Sequence, residues 1–592
     1  MSEVSSNKWS FSPGGLQPAV DAALGKLHEQ RFARRLWERD PALWESEPEH
    51  QRVIENALGW LSVPGKMLKG LDQLQRFVDE VRSQDFKHAV LLGMGGSSLC
   101  PDVCRATFGT APGFLELQVL DSTVPSSVAW VEKRIDLNRT LFLVSSKSGG
   151  TAETLSFYKY FFDRVQAAKR DRAGENFVAI TDPGSSLEKL AHEKTFRSVF
   201  PGQPDIGGRF SALSNFGIVP AALAGVDVRV LLERGEGMAR ACGAGVPAKE
   251  NPGVALGAIL GAAGLAGRDK VTFLVSPGIE TFGAWVEQLL AESTGKEGRG
   301  LVPVEKEYLG NPEVYGNDRL FVSMALASEV DDEVEEGIQA LEAAGHPVVR
   351  IELTDKLDLG AEFFRWEVAT AAAGAILEIN PFDQPNVQES KNNTNRLLAQ
   401  YKTEGRFAEE TPVAAAEGLE LFCDPASRET LAQASQRLGG NAGSAEAILA
   451  TFLEQRQPND YIALLAYVDA SSGHKAILRT VRMRLRDALR LATTVGFGPR
   501  YLHSTGQLHK GGANNGLFIE ITADDVEDLP VPGDPFTFSI LKQAQALGDF
   551  ESLKSKGRRV IRFHVGKKVQ AGLDRLSTLM GEALRRPQNG GK

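Results

Sequence analysis

Apolar and polar residues follow two different periods along the chain. Before residue 80, apolar residues recur at helical spacing over Pro18 to Glu38 and Pro48 to Leu61, which predicts helices that pack on the first domain. From His88 onward, short apolar runs alternate with turns and helical stretches. This alternation is typical of a parallel sheet covered by helices on both faces, whose ligands bind beyond the carboxyl ends of the strands.

The apolar runs predict strands in three successive units. The first unit has His88–Leu92, Leu115–Leu120, Thr140–Val144, Phe177–Ile180 and Phe196–Phe200, followed by three helical stretches over 212–267; the second has Lys270–Val275, Leu320–Ala325 and Pro347–Leu353; the third has Tyr461–Val468, Leu517–Ile521 and Arg559–His564. The second and third units share one order of elements, which indicates a weak internal repeat.

A chain of 592 residues is too long for one hydrophobic core. We therefore predict an α/β protein with tandem doubly wound parallel-sheet domains after a helical N-terminal segment. The predicted divisions are 1–80 for that segment, 81–266 for the first domain, 267–400 for the second, 401–445 for a linker region that contains Gly439, Gly440 and Gly443, and 446–592 for the third unit.

The turn from Ser145 to Thr154 is the richest in hydroxyl groups. It follows a predicted strand and precedes a helical pattern that runs from Leu155 to Val165, so backbone N–H groups and a helix dipole favour an anion there. We expect a phosphate monoester; an ordinary capping turn is the alternative. Its functional groups are several hydroxyls and the ammonium group of Lys147, packed around Gly149 and Gly150.

Two other turns open space with glycines. The first strand runs into Gly93-Met94-Gly95-Gly96-Ser97-Ser98, which lacks the third spaced glycine of a dinucleotide-binding fingerprint. Either this turn lets a ligand approach Gly96 and Ser97 closely, or it is simply tight. In Gly207-Gly208-Arg209 the arginine is either presented to an anionic ligand or engaged in a surface ion pair.

One predicted helix carries a candidate general base. Gln288 and Glu292 are one helical turn apart and face the same way. Glu292 lies near the carboxyl end of this helix, a position that suits proton exchange. The alternative is a solvated glutamate beside Lys296.

Two later segments carry further candidates. Lys391 ends a proline-interrupted segment, and a single lysine of this kind is usually solvated. His503 and His509 are six residues apart, which is not the helical spacing of a zinc pair. An acid-base histidine and a histidine that only packs in its loop both fit this segment.

Composition restricts the function classes. The net charge of −10 argues against a nucleic-acid surface, and no apolar run is long enough to span a bilayer. The polar, Ser-rich start carries no leader pattern, so we expect a cytoplasmic protein. The four cysteines form no disulfide framework, and Cys100 and Cys104 are expected to be buried thiols rather than metal ligands.

Together, these motifs resemble the phosphoglucose isomerase family of the sugar isomerase superfamily. The resemblance rests on Gly95-Gly96-Ser97, Ser146-Lys147-Ser148 through Thr151 and Glu153, Gly207-Gly208-Arg209, Gln288 with Glu292, and Phe382-Asp383-Gln384 through Lys391. The segment Leu502 to Gly512 is similar to one in the isomerase half of fused transaldolase and glucose-6-phosphate isomerase proteins. The resemblance implies tandem sugar isomerase domains and no metal or organic cofactor.

The resemblance also implies roles for individual residues in converting glucose 6-phosphate to fructose 6-phosphate, a step of glycolysis and gluconeogenesis. Glu292 matches the base that moves a proton between C2 and C1, Arg209 the arginine that stabilises the enediolate, and His503 with Lys391 the pair near the ring oxygen. The residues that match substrate-binding positions are Gly96, Ser97, Ser146, Lys147, Ser148, Thr151, Glu153 and Gln288.

The order of the motifs departs from the family at one point. The family's histidine segment lies between the glutamate and the lysine and comes from the adjacent subunit, whereas here His503 follows Lys391. We therefore expect the third unit to replace the neighbouring subunit in a monomer; a homodimer is the alternative. A non-catalytic sugar-phosphate-binding regulatory module and part of a transaldolase fusion are the alternative functions.

Overall fold

A computed structural model describes residues 8–424 and 444–586, with 428, 429, 431 and 433. The N-terminal segment begins with a strand and continues as helices: β1 Lys8–Ser12, α1 Gln17–Glu29, α2 Phe32–Trp37, α3 Pro48–Glu55 and α4 Val63–Ser83. The indole of Trp44 donates a hydrogen bond to the carbonyl of Ala371, so this segment also packs against later parts of the chain.

The first sheet is entirely parallel, in the order β3-β2-β4-β5-β6. Its strands are β2 His88–Gly93, β3 Glu116–Leu120, β4 Thr140–Ser145, β5 Phe177–Thr181 and β6 Ser198–Pro201. The helices that follow its strands in the chain are α5 Leu99–Phe108, α6 Pro125–Glu132, α7 Ala152–Lys169, α8 Ser186–Glu193 and α9 Asn215–Leu223; α10 Val228–Ala241 and α11 Pro252–Leu265 come next and pack on the long helix at Leu359–Leu377.

The second sheet has the order β1-β10-β9-β7-β8, with β1 antiparallel at one edge. Its other strands are β7 Lys270–Val275, β8 Val302–Val304, β9 Arg319–Leu326 and β10 Val348–Leu353, and its helices are α12 Phe282–Thr294, α13 Asp332–Ala343 and α14 Leu359–Leu377. Helix α15, Val387–Glu404, then leads away from this sheet.

The third sheet has the order β11-β12-β16-β15-β13-β14. Its strands are β11 Ala414–Ala416, β12 Leu419–Cys423, β13 Tyr461–Tyr467, β14 Ala492–Phe497, β15 Gly516–Thr522 and β16 Arg559–His564. Its helices are α16 Ala445–Glu454, α17 Ser472–Leu489, α18 Gly506–Gly511, α19 Phe538–Ser555 and α20 Val569–Arg585.

One arrangement of four parallel strands occurs in all three sheets. In each, the second strand in sequence lies at one side, followed by the first, third and fourth: β3-β2-β4-β5, β8-β7-β9-β10 and β14-β13-β15-β16. The order of elements in the sequence indicated this repeat only for the second and third units. Because ligands of such sheets bind beyond the carboxyl ends of the strands, equivalent turns in the three units can be compared directly.

The long apolar runs were predicted well, and the short strands were missed. Lys270–Val275 and Arg559–His564 have the predicted bounds, and the first-sheet strands differ by a residue or two at their ends. The N-terminal segment was predicted to be helical, but its residues 8–12 form β1; strands β8, β11, β12 and β14 were also missed. Strands β8 and β11 have three residues each, too few to show a period, whereas β14 has six residues but contains two threonines and a glycine that interrupt its apolar run.

Three other expectations concern the linker region, the membrane and the cysteines. The glycines Gly439, Gly440 and Gly443 lie outside the described residues. Within the described ranges, no helix combines the length and the apolar character needed to cross a bilayer. Cys100 and Cys104 are buried free thiols, as predicted.

A buried carboxylate joins the second and third units. Glu307 follows β8 and accepts a hydrogen bond from Arg319 Nη1 at 3.1 Å. Two arginines of α17 approach the same carboxylate, Arg482 at 3.8 Å and Arg486 at 3.9 Å. Since all four side chains are almost completely buried, their charges depend on one another for compensation.

We predict that Glu307→Ala destabilises the protein by about 3–5 kcal/mol, because it leaves three buried guanidinium groups without their shared anion. Thermal unfolding followed by circular dichroism measures the effect. Glu313→Ala, on an exposed side chain nearby, is the matched control and should leave the melting temperature unchanged. Equal melting temperatures for the two variants would contradict this account of the junction.

Candidate active site

Three backbone segments meet so closely that only glycine fits between them. A Cβ atom on Gly96 would lie 2.0 Å from the carbonyl oxygen of Gly208, and one on Gly95 would lie 2.8 Å from the carbonyl oxygen of His503. Gly95 also has a φ of 54°, in the left-handed region. The turn after β2 therefore holds together the arginine turn of the first unit and the histidine loop of the third, with Ser97 buried beside them.

The hydroxyl-rich turn lies between β4 and α7, as predicted. Thr151 is the N-cap residue of α7, but its hydroxyl makes no capping bond; it lies 3.0 Å from Ser146 Oγ instead. The Gly150 N–H donates to Ser148 Oγ at 3.3 Å. This arrangement differs from an ordinary Ser/Thr capping turn and places hydroxyls around the helix N-terminus, where an anion is favoured.

Lys147 points across this turn toward the next strand. Its ammonium group forms an ion pair with Asp182 and donates to the carbonyl of Gln203 at 3.1 Å. Lys147 therefore contributes a half-buried positive charge beside the hydroxyls, and Asp182 holds that charge in place.

Glu153, in the first turn of α7, is the partner of His503. His503 Nε2 lies 2.9 Å from Glu153 Oε1, although 350 residues separate the two in the chain. Since a carboxylate only accepts hydrogen bonds, Nε2 carries the hydrogen and Nδ1 is left for proton exchange. Burial alone would raise the pKa of Glu153, but the positive charge and hydrogen bond of His503, together with Lys391, lower it below its ordinary value.

The structure distinguishes the two histidines of the third unit. His509 is buried among the rings of Tyr461, Tyr501 and Phe518. Burial, with the nearby charge of Lys510, lowers the pKa of His509 well below its usual range. His509 therefore packs in its loop, whereas His503 reaches the first unit.

Arg209 is buried and held by four hydrogen bonds. Its Nε donates to Ser293 Oγ at 2.6 Å, Nη1 to Gln384 Oε1 at 2.6 Å, and Nη2 to the carbonyls of Pro381 and Asp383 at 2.7 and 2.9 Å. Burial lowers the pKa of Arg209, while the carboxylates of Glu292 and Asp383 act in the opposite direction. This arginine is a fixed internal charge, not a surface ion-pair partner.

Glu292 lies beside this charge, on the last turn of α12. Its Oε1 is 3.8 Å from Arg209 Nη1, and its Oε2 accepts a hydrogen bond from Gln288 Nε2 at 3.0 Å. Gln288 Nε2 also donates to the carbonyl of His503 at 2.8 Å. Through Gln288, the carboxylate of the second unit is linked to the histidine loop of the third.

Lys391 completes the group from the N-terminal part of α15. It lines a cavity of about 100 Å³ together with Gly150, Thr151, Glu153 and His503. The lysine side chain is exposed at this cavity, so its ammonium group is accessible to a bound molecule. The structure thus brings the hydroxyl turn, the imidazole and the amine to one opening.

Several residues around the site were not singled out as site residues from the sequence. Lys296 Nζ donates to the carbonyls of Asn380 and Asp383, both at 2.7 Å, and so holds the segment that binds Arg209. Burial lowers the pKa of Lys296 to about 8, against the opposing effect of Asp383. Gln384 belongs to the segment Phe382-Asp383-Gln384, on which the family resemblance partly rests. Gln545, which donates to Glu153, lies in a helix with no recognisable motif.

Comparisons with known proteins relate the chain to one family. The profile of the family described as phosphoglucose isomerase matches residues 59–316. A probable glucose-6-phosphate isomerase from Haloquadratum walsbyi is 30% identical over 365 residues, which cover 55% of this chain and 82% of the relative. One from Methanococcus maripaludis is 26% identical over 394 residues, covering 60% and 87%.

Two solved structures share the fold. A hypothetical protein from Thermus thermophilus has a TM-score of 0.56 at 25% identity, covering 65% of this chain and 98% of its own. A glucose-6-phosphate isomerase from Chlamydia trachomatis has a TM-score of 0.50 at 20% identity, covering 66% and 86%.

Parallel sheets that gather a buried carboxylate, an arginine and an imidazole beside a hydroxyl-lined turn define an α/β isomerase of the sugar isomerase type. The matching residues carry Glu292, Arg209 and the hydroxyl turn, whereas Lys391 and His503 lie beyond the matched range. On the similarity to its relatives, the chain belongs to the phosphoglucose isomerase family.

A second carboxylate lies beside the histidine loop. Glu287 Oε1 accepts a hydrogen bond from Ser504 Oγ at 3.5 Å. Burial, and to a smaller extent the negative charge of Glu305, raises the pKa of Glu287 to about 8. A carboxyl group with a raised pKa resists ionisation in the folded state, so the fold loses stability as pH rises from about 4.5 to about 8.

We predict that Glu287→Gln, which cannot ionise, melts at a higher temperature than the wild type at pH 8, with a smaller difference at pH 5. Thermal unfolding at a series of pH values measures this difference. Glu336→Gln on the exposed side of α13 is the control and should follow the wild type throughout. A pH-independent difference between Glu287→Gln and the wild type would contradict the assigned ionisation.

Proposed function

We propose that this isomerase interconverts glucose 6-phosphate and fructose 6-phosphate within a site built from all three units of one chain. The observation that carries the proposal is the contact of 2.9 Å between His503 and Glu153. It brings an acid-base group of the third unit to the hydroxyl turn of the first, while Gln288 links the same loop to Glu292 of the second.

The hydroxyl turn anchors the substrate phosphate. Ser146, Ser148 and Thr151 supply hydroxyl groups, and the N-terminus of α7 and the half-buried ammonium group of Lys147 supply positive potential. The phosphate holds the sugar with its ring toward Glu153, His503 and Lys391, which line the adjoining cavity. Gly96 and Ser97 form the sugar-contacting turn beside it.

Ring opening requires a proton on the ring oxygen. His503 donates it from Nδ1 while Glu153 holds Nε2, and Lys391 places a positive charge at the same opening. The ionised Glu153 carboxylate balances the imidazolium charge. The C1–O5 bond breaks as the C1 hydroxyl gives its proton back to His503 Nδ1, so the product is the open-chain aldose, with an acidic proton on C2 next to the carbonyl.

Glu292 then moves the proton between C2 and C1 through an enediolate. The guanidinium group of Arg209 supplies a positive charge beside the negative enediolate at C1 and C2. Arg209 has five N–H donors, and four of them donate to the serine, glutamine and carbonyl groups named above. Among the described residues, this leaves one Nη1 hydrogen for the intermediate. Because the guanidinium group is already fixed, it stabilises the developing charge with little reorganisation.

The third unit takes the structural place of a neighbouring subunit. His503 follows β14, the second strand of its unit, and the equivalent turn of the second unit follows β8 and contains Glu305 and Lys306 instead of a histidine. Strands β8 and β14 end the second and third sheets and lie next to each other. This arrangement supports a monomer as the active form.

A coupled assay tests the activity against its alternatives. Fructose 6-phosphate alone should yield glucose 6-phosphate, and added erythrose 4-phosphate should not be consumed. Binding of the sugar phosphate without turnover would favour the regulatory-module alternative. Consumption of erythrose 4-phosphate would indicate transaldolase activity, which requires a closed eightfold barrel, whereas the described residues form three open sheets.

We predict that Glu292→Gln lowers kcat by at least ~10² while substrate binding is retained, because the amide keeps the shape of the side chain but cannot take the C2 proton. Steady-state kinetics and calorimetric titration with fructose 6-phosphate measure the two effects. Glu297→Gln, an exposed change on the following loop, is the control. Near-normal turnover by Glu292→Gln would refute the assignment of the base.

We also predict that mixing two inactive variants, His503→Ala and Glu292→Gln, restores no activity. If each site lies within one chain, every chain in the mixture still lacks one essential group. In a site shared between subunits, mixed dimers would contain one intact site and regain measurable activity. The assay follows refolding of the two variants together, and sedimentation of the active wild type should give the mass of a monomer.

A further inference from the structure

Glu153 has a second donor besides His503, and that donor also comes from the third unit. Gln545 Nε2 donates to Glu153 Oε1 at 2.7 Å. Gln545 lies in α19 and is almost completely buried, yet it borders the same cavity as His503. One oxygen of Glu153 therefore accepts hydrogen bonds from two side chains of the third unit.

The orientation of the Gln545 amide is determined by its two neighbours. Glu153, as a carboxylate, only accepts, so the NH₂ group of the amide must face it. The amide oxygen then faces Thr123, whose buried hydroxyl donates to Gln545 Oε1 at 2.8 Å. The opposite orientation would place two oxygens against each other at 2.7 Å, without a hydrogen between them.

The result is a continuous path of hydrogen bonds in which each link joins the first unit to the third. It runs from Thr123 through Gln545 and Glu153 to His503. Tyr467, on β13, helps to fix the position of Gln545, since its hydroxyl donates to the backbone carbonyl of Gln545 at 3.4 Å. Every link joins a donor to an acceptor, so the network holds only one arrangement of hydrogens.

We propose that Gln545 is a positioning residue for the isomerase reaction, which acts through Glu153 to hold His503 ready for ring opening. This inference rests on the proposed function. The amide N–H stabilises Glu153 as the ionised carboxylate, and an ionised carboxylate keeps the hydrogen of the imidazole on Nε2. Without Gln545, Glu153 has fewer donors and more freedom to rotate away from His503.

The effect on pH dependence follows from the groups that face Glu153. These are His503 and Lys391, whose charges favour its ionised form, and Tyr467, which is held neutral by burial. Loss of the Gln545 donor disfavours the ionised form, so the pKa of Glu153 rises. Since ring opening needs the carboxylate, the acid limb of the rate profile moves to higher pH.

The test is Gln545→Met, which keeps the length of the side chain and removes both polar atoms. We expect kcat for glucose 6-phosphate to fall about tenfold with little change in KM, as for loss of one hydrogen bond to a charged group. The acid limb of kcat/KM against pH should move upward. Gln543→Met, on the exposed face of the same helix, is the matched control and should change neither quantity.

A double-mutant cycle separates this role from a merely structural one. If Gln545 acts through Glu153, the change Gln545→Met should cost almost nothing further in a Glu153→Gln background. Thr123→Val, which frees the amide but leaves it in place, should lower kcat in the same direction by a smaller factor. Thr123→Val also serves as the test if Gln545→Met does not fold.

Three results would overturn the proposal. They are full activity of Gln545→Met, an unchanged pH profile despite lower activity, and equal losses in the wild-type and Glu153→Gln backgrounds. Absence of isomerase activity in the wild-type chain would instead overturn the proposed function, on which this inference depends. Wild-type activity that is unaffected by the substitution would overturn the positioning role alone.

Discussion

The arrangement of the site depends on one charged hydrogen bond, between His503 of the third unit and Glu153 of the first. Both groups are largely withdrawn from water, and a buried carboxylate is tolerated only when donors and positive charge compensate it. The docking of the third unit supplies those donors. The same contact therefore stabilises the interface and brings His503 to the candidate active site.

Other buried ionic contacts support this docking and fix the histidine loop. Glu307 is shared by arginines of the second and third units, while Lys510 lies 2.5 Å from Asp549 beneath the histidine loop. The hydroxyl of Tyr501, two residues before His503, donates to the same Asp549 at 2.6 Å. Each of these contacts costs desolvation; the Glu307 cluster restricts how the third unit is placed on the second, and the contacts of Asp549 fix the histidine loop within the third unit.

The three units share one topology but carry different side chains at the same turn. The turn after the third strand of each unit contains Ser146 and Lys147 in the first, Glu329 and Asp331 in the second, and Asp524 and Asp525 in the third. Only the first of these turns combines hydroxyls with a positive charge, as an anionic ligand requires. The same backbone position is therefore no evidence of the same function, because the side chains decide which ligand is bound.

The sequence alone determined the α/β class, the long strands and the local chemistry of each turn, because hydrophobic period and glycine content act over short distances. It also indicated Glu292, Arg209, Lys391 and the hydroxyl turn through their resemblance to a family. The short strands and the N-terminal edge strand depended on pairing with distant residues, so no local pattern predicted them. The resemblance also singled out His503 over His509, but the contact of His503 with Glu153, and the place of Gln545, came only from the tertiary structure, because each depends on which side chains of other units lie within hydrogen-bonding distance.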